Sequence, residues 1–100
     1  MDIQRLVKIG GNEWIKGEHH RVYFNSDVQA KMIGLSCSCY KTGNISSATL
    51  NGEVISNCEA KRILSSIGKL WYDAKTGKWE HRDMADSRAQ EIIDAIEAEV

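Results

Sequence analysis

Residues 35–68 read LSCSCYKTGNISSATLNGEVISNCEAKRILSSIG, and the hydrophobic period changes partway along this stretch. From Leu35 to Tyr40 the odd positions are apolar through Cys39 and the even positions mostly polar, the alternation of a half-buried strand. Lys41-Thr42-Gly43-Asn44 turns the chain into a second extended run, Ile45 to Leu50. Asn51-Gly52 follows, a pair in which both residues tolerate the positive φ of a type I′ hairpin turn, and Val54 and Ile55 make a short return. Ser56-Asn57-Cys58-Glu59 then has the form of a capping box, in which the serine side chain satisfies a free amide and the glutamate reaches back. Ala60, Ile63, Leu64 and Ile67 recur at three-to-four spacing, and Gly68 closes the helix. Locally paired strands running straight into an amphipathic helix point to an antiparallel sheet covered by helix.

The flanking sequence extends that pattern. Lys69 to Asp73 and Lys78 to Arg82 form a second hairpin around Ala74-Lys75-Thr76-Gly77. A last helix begins near Asp83 or Ser87, with Ala85, Ala89, Ile92, Ile96 and Val100 on one face and Ile93 beside them. Toward the start, His20 to Phe24 is rich in aromatic and β-branched residues and reads as a strand. Turns at Gly10-Gly11-Asn12 and Lys16-Gly17-Glu18 precede it. Ser26-Asp27 caps a short turn of helix through Met32, which Gly34 stops. Ile3 to Ile9 is a modest strand candidate in which Leu6 breaks the alternation. The order predicts one α+β domain over residues 1–100, with a mainly antiparallel sheet of about four to six strands and two helices packed on one face.

The chain has 100 residues, 42% apolar and 27% charged, with no proline, which suits one core and leaves no room for a second. No apolar run reaches even about 10 residues, against the roughly 20 needed to cross a bilayer. Met1-Asp2-Ile3-Gln4-Arg5 lacks the basic-then-apolar pattern of a secretory signal, and three cysteines do not suit a disulfide scaffold. A reduced, cytoplasmic protein is expected, without membrane contact. The 13 Lys+Arg nearly cancel the 14 Asp+Glu, a balance that excludes mimicry of nucleic acid by bulk charge and strong binding to it by counterion release alone. The charge is uneven, however: residues 83–100 hold one Arg and six Asp/Glu, a net of −5, which leaves +4 on residues 1–82.

Few residues offer chemistry. Cys37 and Cys39 share a strand face, but one intervening residue is not the spacing of a zinc knuckle, and Cys58 is the only further thiol. They read as small buried hydrophobes, with a metal site or a reactive thiol as the alternatives. His19 and His20, being adjacent on a strand, point to opposite faces and cannot easily serve one ion or one proton transfer. No nucleophile–base signature and no phosphate-binding loop is present. The expectation is no enzyme, no cofactor and no metal.

The aromatic residues carry more information. Trp14, Tyr23, Tyr40, Trp71, Tyr72 and Trp79 are many large rings for a small core, and Tyr23 and Tyr40 occupy polar registers of their strands. With the helices on one face, the other presents Arg21, Tyr23, Ser36, Ser38, Tyr40 and one of Trp71 or Tyr72. Cross-strand packing on a wet face accounts for such rings; so does a partner surface, because Trp, Tyr and Arg dominate binding hot spots; stacking of single-stranded bases is a third use. The residues singled out for partner binding are Arg21, Tyr23, Tyr40, Trp71 and Trp79, with the acidic last helix as a second surface.

The spaced set Gly11, Trp14, Gly17, His20 to Asn25, Tyr40 to Ile45, Trp71-Tyr72-Asp73 and Thr76-Gly77-Lys78 resembles short uncharacterised phage and mobile-element proteins. The resemblance implies a small protein that acts by binding a host protein, a context that includes anti-defence inhibitors such as anti-CRISPR proteins. The expected function is therefore a small non-enzymatic binding protein, a phage-encoded inhibitor or modulator of a larger host protein or complex. The alternative is a nucleic-acid-binding regulator using Lys61, Arg62, Lys69, Lys75, Lys78 and Arg82, which requires those cations to cluster. The oligomeric state stays open, since an exposed edge strand could also dimerise.

Overall fold

The computed structural model describes residues 1–100. In chain order the elements are α1 (Ile3–Ile9), β1 (Asn12–Lys16), β2 (His19–Phe24), α2 (Ser26–Met32), β3 (Leu35–Cys39) and β4 (Ile45–Leu50). They continue with β5 (Glu53–Ile55), α3 (Asn57–Ser65), β6 (Lys69–Asp73), β7 (Lys78–Arg82) and α4 (Asp86–Glu99). The α+β class and the antiparallel pairing are as expected. The strands form two sheets rather than one, a four-stranded β1-β2-β6-β7 and a three-stranded β3-β4-β5, and there are four helices. No helix is long and apolar enough to cross a membrane.

The first segment corrects the sequence reading: Ile3–Ile9 is helical, not extended. The Asp2 side chain accepts from the Gln4 amide at 3.0 Å, and Gly10 ends the helix at φ 136. Leu6, the residue that spoils a strand alternation, completes the helical set Ile3, Leu6, Val7 and is fully buried. Asn12–Lys16, lying between two expected turns, is a strand that the sequence reading did not mark. The Asn51-Gly52 turn has both residues at positive φ (52 and 86), as a type I′ hairpin needs. Ser56 caps α3, its hydroxyl accepting from the Glu59 amide at 3.1 Å. The last helix starts at Asp86, between the two expected positions, and buries Ala89, Ile92, Ile93 and Ile96.

The division into two sheets follows from edge chemistry. β2 has a regular free edge, and β6 takes it in the register Arg21↔Asp73, Tyr23↔Trp71. β3 carries an irregularity between Ser38 and Cys39, and β5 has only three residues, so neither offers a long straight edge. One continuous core still joins both sheets, from Leu6, Val22, Phe24, Leu70, Tyr72, Ile92 and Ile96 to Leu35, Ala48, Ala60 and Ile63. α1 lies against β2, α3 against β4, and α2 meets β3, α3 and α4.

Gln29 ties these layers together. It is fully buried, and its Nε2 donates to the Phe24 carbonyl at 2.8 Å and the Gly68 carbonyl at 2.9 Å, linking the end of β2 to the entry of β6. Position 68 admits only glycine, because a Cβ there would run into the Arg82 and Asp83 carbonyl oxygens.

Candidate binding face

Strand alternation and register assign the two faces of the four-stranded sheet. Val22, Phe24, Leu70, Tyr72 and Trp79 face the helices. Trp79 packs on Phe24 and Tyr72, with ring centroids 5.7 and 5.3 Å apart, and its Nε1 donates to Glu97 of α4 at 3.1 Å. Trp14 and Lys16 of β1, His19, Arg21 and Tyr23 of β2, Lys69, Trp71 and Asp73 of β6, and Lys78, Glu80 and Arg82 of β7 point the other way. On that face β1 is exposed along its whole length, and Lys69, Lys78, Glu80 and Arg82 are exposed as well.

At its centre is a stacked cluster. The Arg21 guanidinium carbon lies 5.6 Å from the Trp14 ring and 5.5 Å from the Trp71 ring, inside the range of cation–π attraction. Tyr23 sits edge-on to Trp14 at 6.3 Å and tilted against Trp71 at 5.5 Å, and its hydroxyl accepts from Arg21 at 2.9 Å. That hydrogen bond, opposed by desolvation and helped by the charges of Asp73 and Glu80, raises the Arg21 pKa, so the guanidinium is permanently charged. The Arg21 Nε is buried without a hydrogen-bond partner. Trp71, only 8% exposed, donates from Nε1 to Glu80 at 2.9 Å. Trp14 is 39% exposed and is the ring of the cluster most open to a partner.

Of the five residues singled out from the sequence, Arg21, Tyr23 and Trp71 come together here. Trp79 is on the opposite face, held by the core and α4, because its position beside Tyr72 fixes it on the helix side. Tyr40 is 62% exposed but lies just past β3 of the other sheet, where its amide donates to the Asn44 carbonyl across the turn. Ser36 and Ser38 are on that sheet too, so the expected single face is split by the division of the strands. Trp14 and Lys16 were missed as members of the site. Their signal was the alternation Asn12, Trp14, Lys16, which the flanking turns obscured.

The cations of the alternative set also separate. Lys69, Lys78 and Arg82 lie on the open face, Lys61 and Arg62 lie on α3, and Lys75 pairs with Glu18 across two turns at 2.9 Å. With Lys16 and Arg21, the face holds five cations against the carboxylates of Asp73 and Glu80, a net of +3. The Asp73 carboxylate accepts from the Lys75 and Thr76 amides of the adjoining turn, and Glu80 from the Trp71 indole.

The cysteines form no cluster with other ligands: no three His, Cys, Asp or Glu side chains converge as a metal site would require. Cys39 is exposed, which corrects its reading as a buried hydrophobe, while Cys37 is partly buried against the core and Cys58 is exposed on α3. Burial, and secondarily Cys39, pushes the Cys37 thiol up. Comparison of the chain with protein families, curated proteins and solved structures finds no match.

Proposed function

We propose that the protein is a small non-enzymatic binding module that works through the open face of its four-stranded sheet. The observation that carries this reading is the Arg21 guanidinium held between Trp14 and Trp71, with exposed cations around it. An aromatic and arginine centre inside a polar rim is the anatomy of a binding hot spot. Because Tyr23 and the two indoles hold Arg21 in advance, a partner meeting this face has little side-chain freedom to remove. The excess of cations selects a partner surface of negative charge.

The inhibition or modulation of a larger host protein or complex, which the resemblance to phage proteins implies, is a use to which such a module is suited. Four strands about 4.8 Å apart and about 17–20 Å long give a flat footprint of roughly 350 Å², a small patch on which to seat a protein. A protein partner would therefore also engage the turns at Gly17-Glu18 and Ala74 to Gly77.

The test is capture from lysate with tagged wild-type protein and with Trp14→Ala. The partner retained by the wild type is expected to be lost from the variant, while the circular dichroism and melting of the variant stay close to those of the wild type. Equal recovery by both proteins would remove the face from consideration.

A further inference from the structure

Resting on that reading, we infer that the open face takes a short single strand of nucleic acid, with a base stacked on Trp14 and phosphates on Lys16, Lys69, Lys78 and Arg82. Three observations on the same face favour this occupant.

The first is the placement of charge. The four exposed cations stand at the margins of the face and the rings at its centre. From Lys16 on one edge strand to Arg82 on the other is a diagonal of about 25 Å by strand geometry, a path for a few nucleotides that passes over Arg21 and Trp71 with Trp14 and Tyr23 beside it. Backbone neutralised along a basic track, with bases laid on aromatic rings, is how sequence-tolerant single-strand sites are built. Asp73 and Glu80 reduce the positive charge of the face but leave it at a net of +3.

The second is the exposure of the rings. Trp14, with Arg21 over its ring and His19 tilted beside it, still leaves more than a third of its surface free, and Tyr23 is half-buried, so Trp14 is the ring on which a base would stack.

The third is size and shape. A face about 19 Å across and about 17–20 Å long accommodates a slender strand laid across it. Duplex DNA fits poorly, since its major groove, about 12 Å wide, admits a helix or a two-stranded ribbon and not a sheet about 19 Å across. The acidic α4 lies behind the sheet, where Glu97 holds Trp79, so a polyanion is repelled from the back and attracted at the front.

The experiment is fluorescence anisotropy with a labelled oligothymidylate of about eight nucleotides and with a duplex of the same length, between about 50 and 200 mM NaCl. Single-strand binding is expected, and with four phosphate contacts the logarithm of affinity should fall against the logarithm of salt with a slope of about −3. Trp14→Ala should weaken it by about fivefold to about 150-fold, the range of one lost base stack, whereas Trp14→Phe keeps most of the affinity. The double variant Lys69→Ala, Arg82→Ala should roughly halve the slope. Absence of binding up to about 100 μM protein, preference for the duplex, or affinity indifferent to Trp14 overturns the inference. If the oligonucleotide fails but a protein is captured from nuclease-treated lysate in a Trp14-dependent way, nucleic acid is excluded and the binding face stands. If capture is also independent of Trp14, both fall.

Discussion

Gln29 shows how much one buried polar side chain can organise. Its amide supplies the donor for two carbonyls 44 residues apart in sequence but adjacent in space, Phe24 at the end of β2 and Gly68 at the entry to β6. Gln29→Leu preserves volume and strands both acceptors. The change also removes the Gln29 Oε1, which has no partner, so part of the loss is offset. A net destabilisation of about 2 kcal/mol is expected, from a cost of about 1–3 kcal/mol per stranded group, read as a lower urea midpoint at unchanged slope. The thiols make a second test at this scale. Burial raises the Cys37 pKa, so at pH 8 little of it is thiolate, and its surroundings also hinder attack. Titration with a disulfide reagent should show two fast thiols, Cys39 and Cys58, and one slow one that accelerates as the pH is raised further. Three equal rates would contradict this placement.

Among the elements, α3 was the most legible in the sequence, because a cap, a three-to-four apolar spacing and a closing glycine agree over one short window. Ser56→Ala should cost about 1 kcal/mol through loss of the hydroxyl that accepts from Glu59. Thermal or urea unfolding checks the value, and no change would mean that water replaces the cap without loss. The two hairpins turned at Asn51-Gly52 and around Ala74 to Gly77 were legible for the same local reason. The first helix was not, because seven residues containing Ile3, Val7 and Ile9 satisfy a strand pattern nearly as well as a helical one, and the deciding cap is the single residue Asp2. The division of strands into two sheets was also hidden. It depends on β2 meeting β6 across more than 40 residues, and no local pattern records which distant edge is vacant. That same fact divided the candidate residues: Arg21, Tyr23 and Trp71 lie together, while Tyr40 follows β3 of the other sheet.

At the scale of the whole molecule, one core spans both sheets, and all three tryptophans, Trp14, Trp71 and Trp79, belong to the four-stranded one. Tryptophan fluorescence therefore reports that sheet alone, while far-ultraviolet circular dichroism reports both. If the shared core makes folding all-or-none, the two denaturation curves should coincide; a dichroism loss that precedes the fluorescence change would show that β3, β4 and β5 unfold separately. The uncovered sheet face and the acidic α4 lie on opposite sides of a particle measuring 43 × 26 × 24 Å. The protein therefore has a dipolar surface that its formal charge of −1 at pH 7 conceals. On a sulfonate ion exchanger at neutral pH and low salt, an evenly charged particle of that net charge would pass through. This molecule should be retarded, with the sheet face against the resin, and Lys69→Glu together with Arg82→Glu should abolish the retention. Its behaviour at a charged boundary is governed by the side it presents, so a column distinguishes the two faces without any knowledge of a natural partner.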